Sequence, residues 1–129
     1  MKQIKIAVLG YGTVGRALVE LLDQHDLGIE VKYILRRPGK ATGTDTRMTD
    51  TVETILHDSE LDAVVDVLAG PEPAFSYMRS ALEAGLSVVS ANKAALARDL
   101  KGLTELARNR GAHLLYEASC GGYAYHRVD

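Results

Sequence analysis

Residues 4–15 have the sequence Ile-Lys-Ile-Ala-Val-Leu-Gly-Tyr-Gly-Thr-Val-Gly, an apolar run that leads directly into three spaced glycines. The run predicts a buried strand over 4–9, and the apolar spacing after the glycines predicts a helix over about 13–24. In this pattern Gly10 permits a tight turn, Gly12 lets the backbone approach a pyrophosphate, and Gly15 lets the helix pack closely on the strand. The helix N-terminus then offers free N–H groups to phosphates. The stretch therefore predicts a dinucleotide-binding βαβ unit.

The composition is that of an ordinary globular domain of 129 residues, 47% hydrophobic and 25% charged. A formal net charge of -2 without a basic run argues against nucleic-acid binding. The apolar runs have the length of strands, so we expect no membrane span. The start of the chain lacks the apolar core of a signal peptide, and a single cysteine, Cys120, fits a reducing compartment. We therefore expect a cytoplasmic protein.

Short apolar runs alternate with amphipathic stretches along the chain, which predicts parallel strands joined by crossover helices. Further strands are predicted at 30–36, 63–68, 86–90 and 113–118, and helices at 50–57, 74–84 and 94–110, with a polar loop over 38–49. We expect an α/β, doubly wound (Rossmann-type), mainly parallel sheet of about five strands. Ligands of such sheets bind beyond the carboxyl ends of the strands. That rule selects five loops, at 10–15, 36–40, 69–73, 91–93 and 117–122.

The end of the second predicted strand bears on the choice of cofactor. An acidic residue there would bind a ribose 2′-hydroxyl, whereas an arginine accommodates a 2′-phosphate. The chain has Arg36, Arg37 and Lys40 and no acid at this position. The alternative is a pair of solvated surface arginines. The sequence favours NADP(H), with NAD(H) as the second choice.

Four other residues at or near these loops are candidates for chemistry. Lys93 could bind a substrate carboxylate, polarise a carbonyl or shuttle a proton, or it could be a surface lysine at a helix start. Glu117 with nearby turn carbonyls could coordinate a hard cation, or it could cap a turn. Cys120 is better explained as a small buried residue than as a nucleophile. We expect Asp66, an acid in an apolar strand, to lie near the strand end or to be hydrogen-bonded.

With these loops identified, residues 4–122 resemble the N-terminal nucleotide-binding domain of homoserine dehydrogenases. The matching segments occur in family order, and the combination of Ala-Asn-Lys with Glu-Ala-Ser-x-Gly-Gly is far more specific than the glycine pattern. These segments are Ile-Ala-Val-Leu-Gly-Tyr-Gly-Thr-Val-Gly at 6–15, Ile-Leu-Arg-Arg at 34–37, Leu-Ala-Gly-Pro-Glu-Pro-Ala at 68–74, Val-Val-Ser-Ala-Asn-Lys at 88–93 and Tyr-Glu-Ala-Ser-Cys-Gly-Gly at 116–122.

The resemblance implies an oxidoreductase that interconverts L-homoserine and L-aspartate 4-semialdehyde with NAD(P), in the biosynthesis of threonine, isoleucine and methionine. Arg37 matches the family's 2′-phosphate arginine, and Lys93 matches a lysine with a catalytic or cofactor-gating part. The expected cation site, for a monovalent ion, consists of Glu117, Cys120 and Gly122, with Ala124 as a further candidate. The expected cofactor-binding residues are Gly10, Tyr11, Gly12, Thr13, Val14, Gly15, Arg36, Arg37, Ala69, Gly70, Ser90, Asn92 and Lys93.

The chain also departs from the family pattern. The family usually has valine at the position of Cys120 and Gly-Gly-Gly-Ile-Pro where this chain has Gly-Gly-Tyr-Ala-Tyr at 121–125. We expect a nucleotide-binding domain at 1–122 and a tail at 123–129, with the family's substrate and dimerisation domain absent from these 129 residues. The chain alone is then expected to bind NADP(H) but to turn homoserine over poorly or not at all. A later helix covers this sheet in the family, so an uncovered apolar face and a homodimer are expected.

Two other functions fit the same residues. A stand-alone module that senses nucleotide would bind the cofactor selectively without catalysis. An aspartate dehydrogenase-like domain shares a similar nucleotide fold, although the loops at 91–93 and 117–122 favour homoserine.

Overall fold

A computed structural model of the chain describes residues 3–37, 39 and 45–117. Strands and helices alternate along almost the whole of it, as expected for an α/β fold. The elements are β1 (Ile4–Leu9), α1 (Thr13–Gln24), β2 (Ile29–Leu35), β3 (Met48–Thr49), α2 (Val52–Leu56), β4 (Ala63–Asp66), α3 (Ala74–Glu83), β5 (Ser87–Ser90), α4 (Lys93–Leu96), α5 (Leu100–Arg110) and β6 (Leu114–Tyr116).

The described strands form one sheet in the order β3-β2-β1-β4-β5-β6, and every neighbouring pair is parallel. The doubly wound architecture is therefore confirmed. Chain order reverses between β1 and β4, which is the switch point at which such sheets bind ligands. The expectation of about five strands was one too few, because Met48–Thr49 pairs with the end of β2 inside the stretch predicted as loop.

The helix predicted at 94–110 is two helices in the structure. Asn92 caps α4, since its side chain accepts a hydrogen bond from the backbone N–H of Ala95 at 3.1 Å. Asp99 caps α5 in the same way through the N–H of Gly102 at 3.0 Å. An aspartate at this position accepts hydrogen bonds from the free N–H groups of a new helix. It therefore favours the start of a second helix over the continuation of α4.

The core lies on both faces of the sheet. On one face α3 and α5 cover the buried in-register side chains Val64, Val88 and Leu114. On the other face α1 covers β1 and β2, where Val19 packs with Val8 and neighbouring side chains.

The second face is less covered at β4–β6. Val65, Val89 and Leu115 are in register there, Val65 and Leu115 are half-buried, and Val89 is 37% exposed. Within the described residues, no helix has the length and apolar character that crossing a membrane requires.

Candidate functional site

The turn between β1 and α1 is built around its glycines. Gly10 has φ +110°, a conformation that residues with a Cβ rarely adopt. Its N–H donates to the carbonyl of Leu35 at 3.0 Å, so the turn continues the β1–β2 pairing. A Cβ on Gly15 would collide with the carbonyl oxygen of Gly10, whereas a Cβ on Gly12 would meet nothing within 4 Å. Gly15 therefore allows α1 to pack closely on β1, and Gly12 leaves open space above the turn.

The N-terminus of α1 is available to an anion. Gly12 is the N-cap and supplies no side-chain cap, and the first turn carries no acidic residue. Thr13 and Val14, in that first turn, both line the space beside it. Unpaired N–H groups and the partial positive charge of a helix start favour phosphate at such a position.

A cleft of about 730 Å³ lies at the switch point, where the ends of β1, β2 and β4 meet. Its size is in the range of cofactor pockets. Among the predicted cofactor contacts it brings together Gly10, Tyr11, Gly12, Thr13, Val14, Arg36, Arg37 and Ala69. Sequence reasoning did not identify five further lining residues, which are Leu35, Val67, Leu68, Pro73 and Tyr77.

The backbone of Arg36, just after β2, is held by the short strand β3. The backbone N–H of Arg36 donates to the carbonyl of Thr49 at 2.8 Å. Arg36 is half-buried, Arg37 is exposed, and both line the cleft. Neither arginine forms a salt bridge with a carboxylate in the described part of the chain. The arginines therefore give this end of the cleft an uncompensated positive charge.

A buried polar network joins the two loops on the other side of the cleft. Asp66, 3% exposed, accepts hydrogen bonds from the Leu68 N–H at 2.9 Å and from the Ser90 hydroxyl at 3.0 Å. Asn92 donates to the carbonyls of Leu68 and Gly70 at 3.0 and 2.9 Å. Burial raises the pKa of Asp66, and the hydrogen bonds from Leu68, Ser90 and Asn92 oppose that rise. The expectation for Asp66, a hydrogen-bonded acid at a strand end, is confirmed.

The other five predicted cofactor residues do not line this cleft. Ser90 is buried and directed at Asp66, Gly70 and Asn92 belong to the network, and Gly15 lies beneath the turn. Lys93 is the first residue of α4 and is exposed.

Only one member of the predicted cation site lies within the described residues. Glu117 is exposed, just after β6, while Cys120 and Gly122 lie outside the described residues. Among those described, no group of three His, Cys, Asp or Glu side chains could hold a metal ion.

The part of the chain that carries these residues matches a known family. The family model described as homoserine dehydrogenase, NAD binding domain, matches residues 10–117. The homoserine dehydrogenase of Lactococcus lactis is 35% identical over 92% of this chain and 31% of its own length. That of Synechocystis is 34% identical over 92% of the chain and 30% of its own length. The chain thus spans less than a third of the length of these relatives.

The fold comparison gives the same result. The crystal structure of S. aureus homoserine dehydrogenase at pH 8.5 superimposes with a TM-score of 0.80 and 37% identity, covering 92% of this chain and 33% of that one. The homoserine dehydrogenase of Thiobacillus denitrificans gives a TM-score of 0.79 with 28% identity, covering 92% of this chain and 30% of that one. The chain therefore belongs to the family of homoserine dehydrogenase NAD-binding domains.

Proposed function

We propose that this chain binds NADP(H) in the cleft at the switch point, as the nucleotide-binding part of an enzyme that oxidises L-homoserine to L-aspartate 4-semialdehyde. The observation that carries the proposal is the convergence in one cleft of the glycine turn, the free start of α1 and two arginines that form no salt bridge among the described residues. An NAD-specific site would instead place a carboxylate at the end of β2. NAD(H) is the weaker ligand in this proposal.

Each part of the cleft has its own task in the proposed complex. The start of α1 holds the pyrophosphate, and Arg36 and Arg37 hold the ribose 2′-phosphate. The loop at 67–73 directs the nicotinamide end toward the carboxyl ends of β4 and β5. When bound, the dinucleotide supplies the hydride acceptor. Lys93, exposed at the start of α4, binds the substrate carboxylate or moves a proton.

The length of the relatives supports assigning nucleotide binding and homoserine positioning to separate domains. The chain spans about 31% of the homoserine dehydrogenase of Lactococcus lactis. We place the nucleotide-binding domain at 1–122 and a tail at 123–129, and we assign homoserine positioning to the substrate domain that the family resemblance implies. Residues 1–129 by themselves should then bind NADPH but turn homoserine over slowly or not at all, because correct positioning contributes several kcal/mol to the rate.

Two measurements on the 129-residue protein test the proposal. Titration of NADPH, followed by nicotinamide fluorescence, should give saturable binding that is tighter than that of NADH. Homoserine-dependent reduction of NADP should be slow or absent. Failure to bind either nucleotide would contradict the proposal. Rapid turnover of homoserine would contradict only the assignment of homoserine positioning to a separate substrate domain. Selective nucleotide binding without activity in the full-length enzyme would favour a nucleotide-sensing module.

Three further assignments belong to the same proposal. We place a monovalent cation at Glu117, Cys120 and Gly122, which a dependence of activity on K⁺ or Na⁺ would test. We infer a homodimer formed through the partly uncovered face that carries Val65 and Val89, testable by sedimentation over a range of concentrations. A cytoplasmic location is supported by the single cysteine and is tested by cell fractionation.

A further inference from the structure

Two guanidinium groups converge on the ring of Tyr11. The central carbons of Arg16 and Arg36 each lie 5.4 Å from the ring centre, within the range of cation–π attraction. Arg16 belongs to α1 and Arg36 follows β2, so the two side chains come from different elements. The two guanidinium carbons are therefore separated by at most twice this distance, because both distances are measured from the same ring centre.

Arg16, like the two arginines after β2, forms no salt bridge in the described part of the chain, although Glu20 lines the same depression. Other arginines of the protein do form salt bridges. Arg47 bridges Asp23 and Asp45 at 3.0 and 2.8 Å, and Arg98 pairs with Glu72 at 3.0 Å. Three cations near one end of the cleft repel one another, and an anion bound between them would offset that repulsion.

The position of Arg16 links it to the cleft. It lines a shallow depression with Gly12, Thr13, Ala17 and Glu20, and the first two of these also line the cleft. The guanidinium of Arg16 is thus near the same end of the cleft as Arg36. Guanidinium groups bind phosphate oxygens in a bidentate manner, and a phosphate monoester carries close to two negative charges at pH 7. A ribose hydroxyl offers no charge for a second guanidinium to neutralise.

We propose that Arg16 is a further guanidinium ligand of the ribose 2′-phosphate of NADP(H), beside Arg36 and Arg37, and that Tyr11 is the positioning residue that holds Arg16 and Arg36 in place for it. The proposal rests on the proposed nucleotide-binding function and adds a specificity determinant to it. Arg16 is an exposed residue of α1, so its replacement leaves the fold intact.

The substitution Arg16→Gln tests the first half, with Arg79→Gln as the matched control on α3. Calorimetry with 2′,5′-ADP and 5′-AMP, together with NADPH and NADH titrations, measures the contribution of the 2′-phosphate. Arg16→Gln should weaken 2′,5′-ADP and NADPH about tenfold while 5′-AMP and NADH change less than about twofold. Arg79→Gln should change none of the four.

Unchanged NADPH affinity in Arg16→Gln would overturn the assignment of Arg16. Equal weakening of 5′-AMP and 2′,5′-ADP would also overturn it, since the contact would then lie elsewhere on the nucleotide. If the unmodified protein binds NADPH more tightly than NADH, either result leaves the proposed function intact. If it binds neither nucleotide, both proposals fail.

The second half concerns the ring of Tyr11. Tyr11→Phe retains the ring and should retain the preference for NADPH over NADH, whereas Tyr11→Leu should reduce that preference about two- to fivefold. In the Arg16→Gln background the further loss caused by Tyr11→Leu should be smaller, because one of the two guanidinium groups that the ring holds is then gone. A role in general packing would weaken NADPH and NADH equally, and that outcome would contradict the positioning role.

Discussion

The glycines between β1 and α1 show how the absence of a side chain has different consequences at neighbouring positions. At Gly10 the requirement is a backbone angle, φ +110°. At Gly15 it is close packing against the carbonyl of Gly10, and at Gly12 the space above the backbone is open. Stability and ligand binding are thus assigned to different residues of one turn, and substitution can separate the two.

We predict opposite outcomes for two substitutions in this turn. Gly15→Ala should lower the free energy of unfolding by about 1–3 kcal/mol, because the new methyl group has to displace backbone. Gly12→Ala should leave the free energy of unfolding within about 0.5 kcal/mol and weaken NADPH binding, because its methyl group occupies the space proposed for the pyrophosphate. Urea denaturation and NADPH titration of both variants check this. A large loss of stability in Gly12→Ala would contradict it.

The arginines after β2 give a second prediction at this scale. Arg37→Asp should weaken NADPH at least about tenfold, because a carboxylate repels the 2′-phosphate, and should maintain or strengthen NADH binding. Lys101→Asp, on the exposed side of α5, makes the same change of net charge away from the cleft and serves as the control. An unaltered ratio of the NADPH and NADH dissociation constants would remove Arg37 from the proposed site.

Among the elements, the connection between the β4–α3 and β5–α4 loops depends on one amide side chain. Asn92 caps α4 and holds the carbonyls of Leu68 and Gly70. Asn92→Ala should lower the free energy of unfolding by about 1–3 kcal/mol and weaken NADPH binding, since the loop at 67–73 loses its anchor. The matched control is Asn109→Ala, an exposed asparagine of α5. Unaltered stability and NADPH affinity in Asn92→Ala would contradict the role of this anchor.

The elements also show where sequence patterns stop being informative. The strands with long apolar runs and the glycine turn were predictable, because their cause is local. Met48–Thr49 was not, since two residues have no periodicity, and their pairing with β2 depends on tertiary structure. The break before Asp99 had a local cause, a capping aspartate, which the apolar period of 94–110 concealed. In the site, the chain pattern predicted Arg36 and Arg37, but only the fold brings Arg16 to Tyr11.

At the scale of the whole molecule, the residues that line the nucleotide cleft lie at one edge of the sheet, so binding of the nucleotide and stability of the fold should be coupled. A ligand that binds only the folded state at about a hundred times its dissociation constant adds about 2.7 kcal/mol of stability. For a domain of this length, NADPH at that level should raise the melting temperature by about 10 °C. Thermal denaturation with NADPH and with an equal concentration of NADH measures this. An equal rise for the two would contradict the preference for the 2′-phosphate.

Acid stability should depend on a cluster away from the cleft. The ammonium of Lys32 and the hydroxyl of Tyr33, both 2.6 Å from the same oxygen of Asp58, lower the pKa of Asp58 to about 2. Because the folded pKa is below the unfolded one, the stabilisation is complete above about pH 4 and is lost as the pH falls toward 2.

Asp58→Asn should therefore be less stable at pH 7, by about 1–2 kcal/mol after allowance for solvent screening, and should lose less stability between pH 4 and 2. Urea denaturation at several pH values compares it with Asp26→Asn, a change of an exposed aspartate. Parallel pH profiles for Asp58→Asn and the unmodified protein would contradict this assignment. Asp66 has the opposite effect on the pH dependence of stability. Its pKa is raised in the folded protein, so its charged form lowers the stability at higher pH.

The ring at the centre of the arginine pair has an optical consequence. The chain contains no tryptophan and six tyrosines, and both Tyr11 and Tyr77 line the cleft. Ultraviolet emission of the protein therefore comes from tyrosine alone, and a bound reduced nicotinamide would be close enough to these two rings to accept their excitation energy. Occupancy of the cleft could then be followed as a loss of tyrosine emission, without a dye or an introduced label.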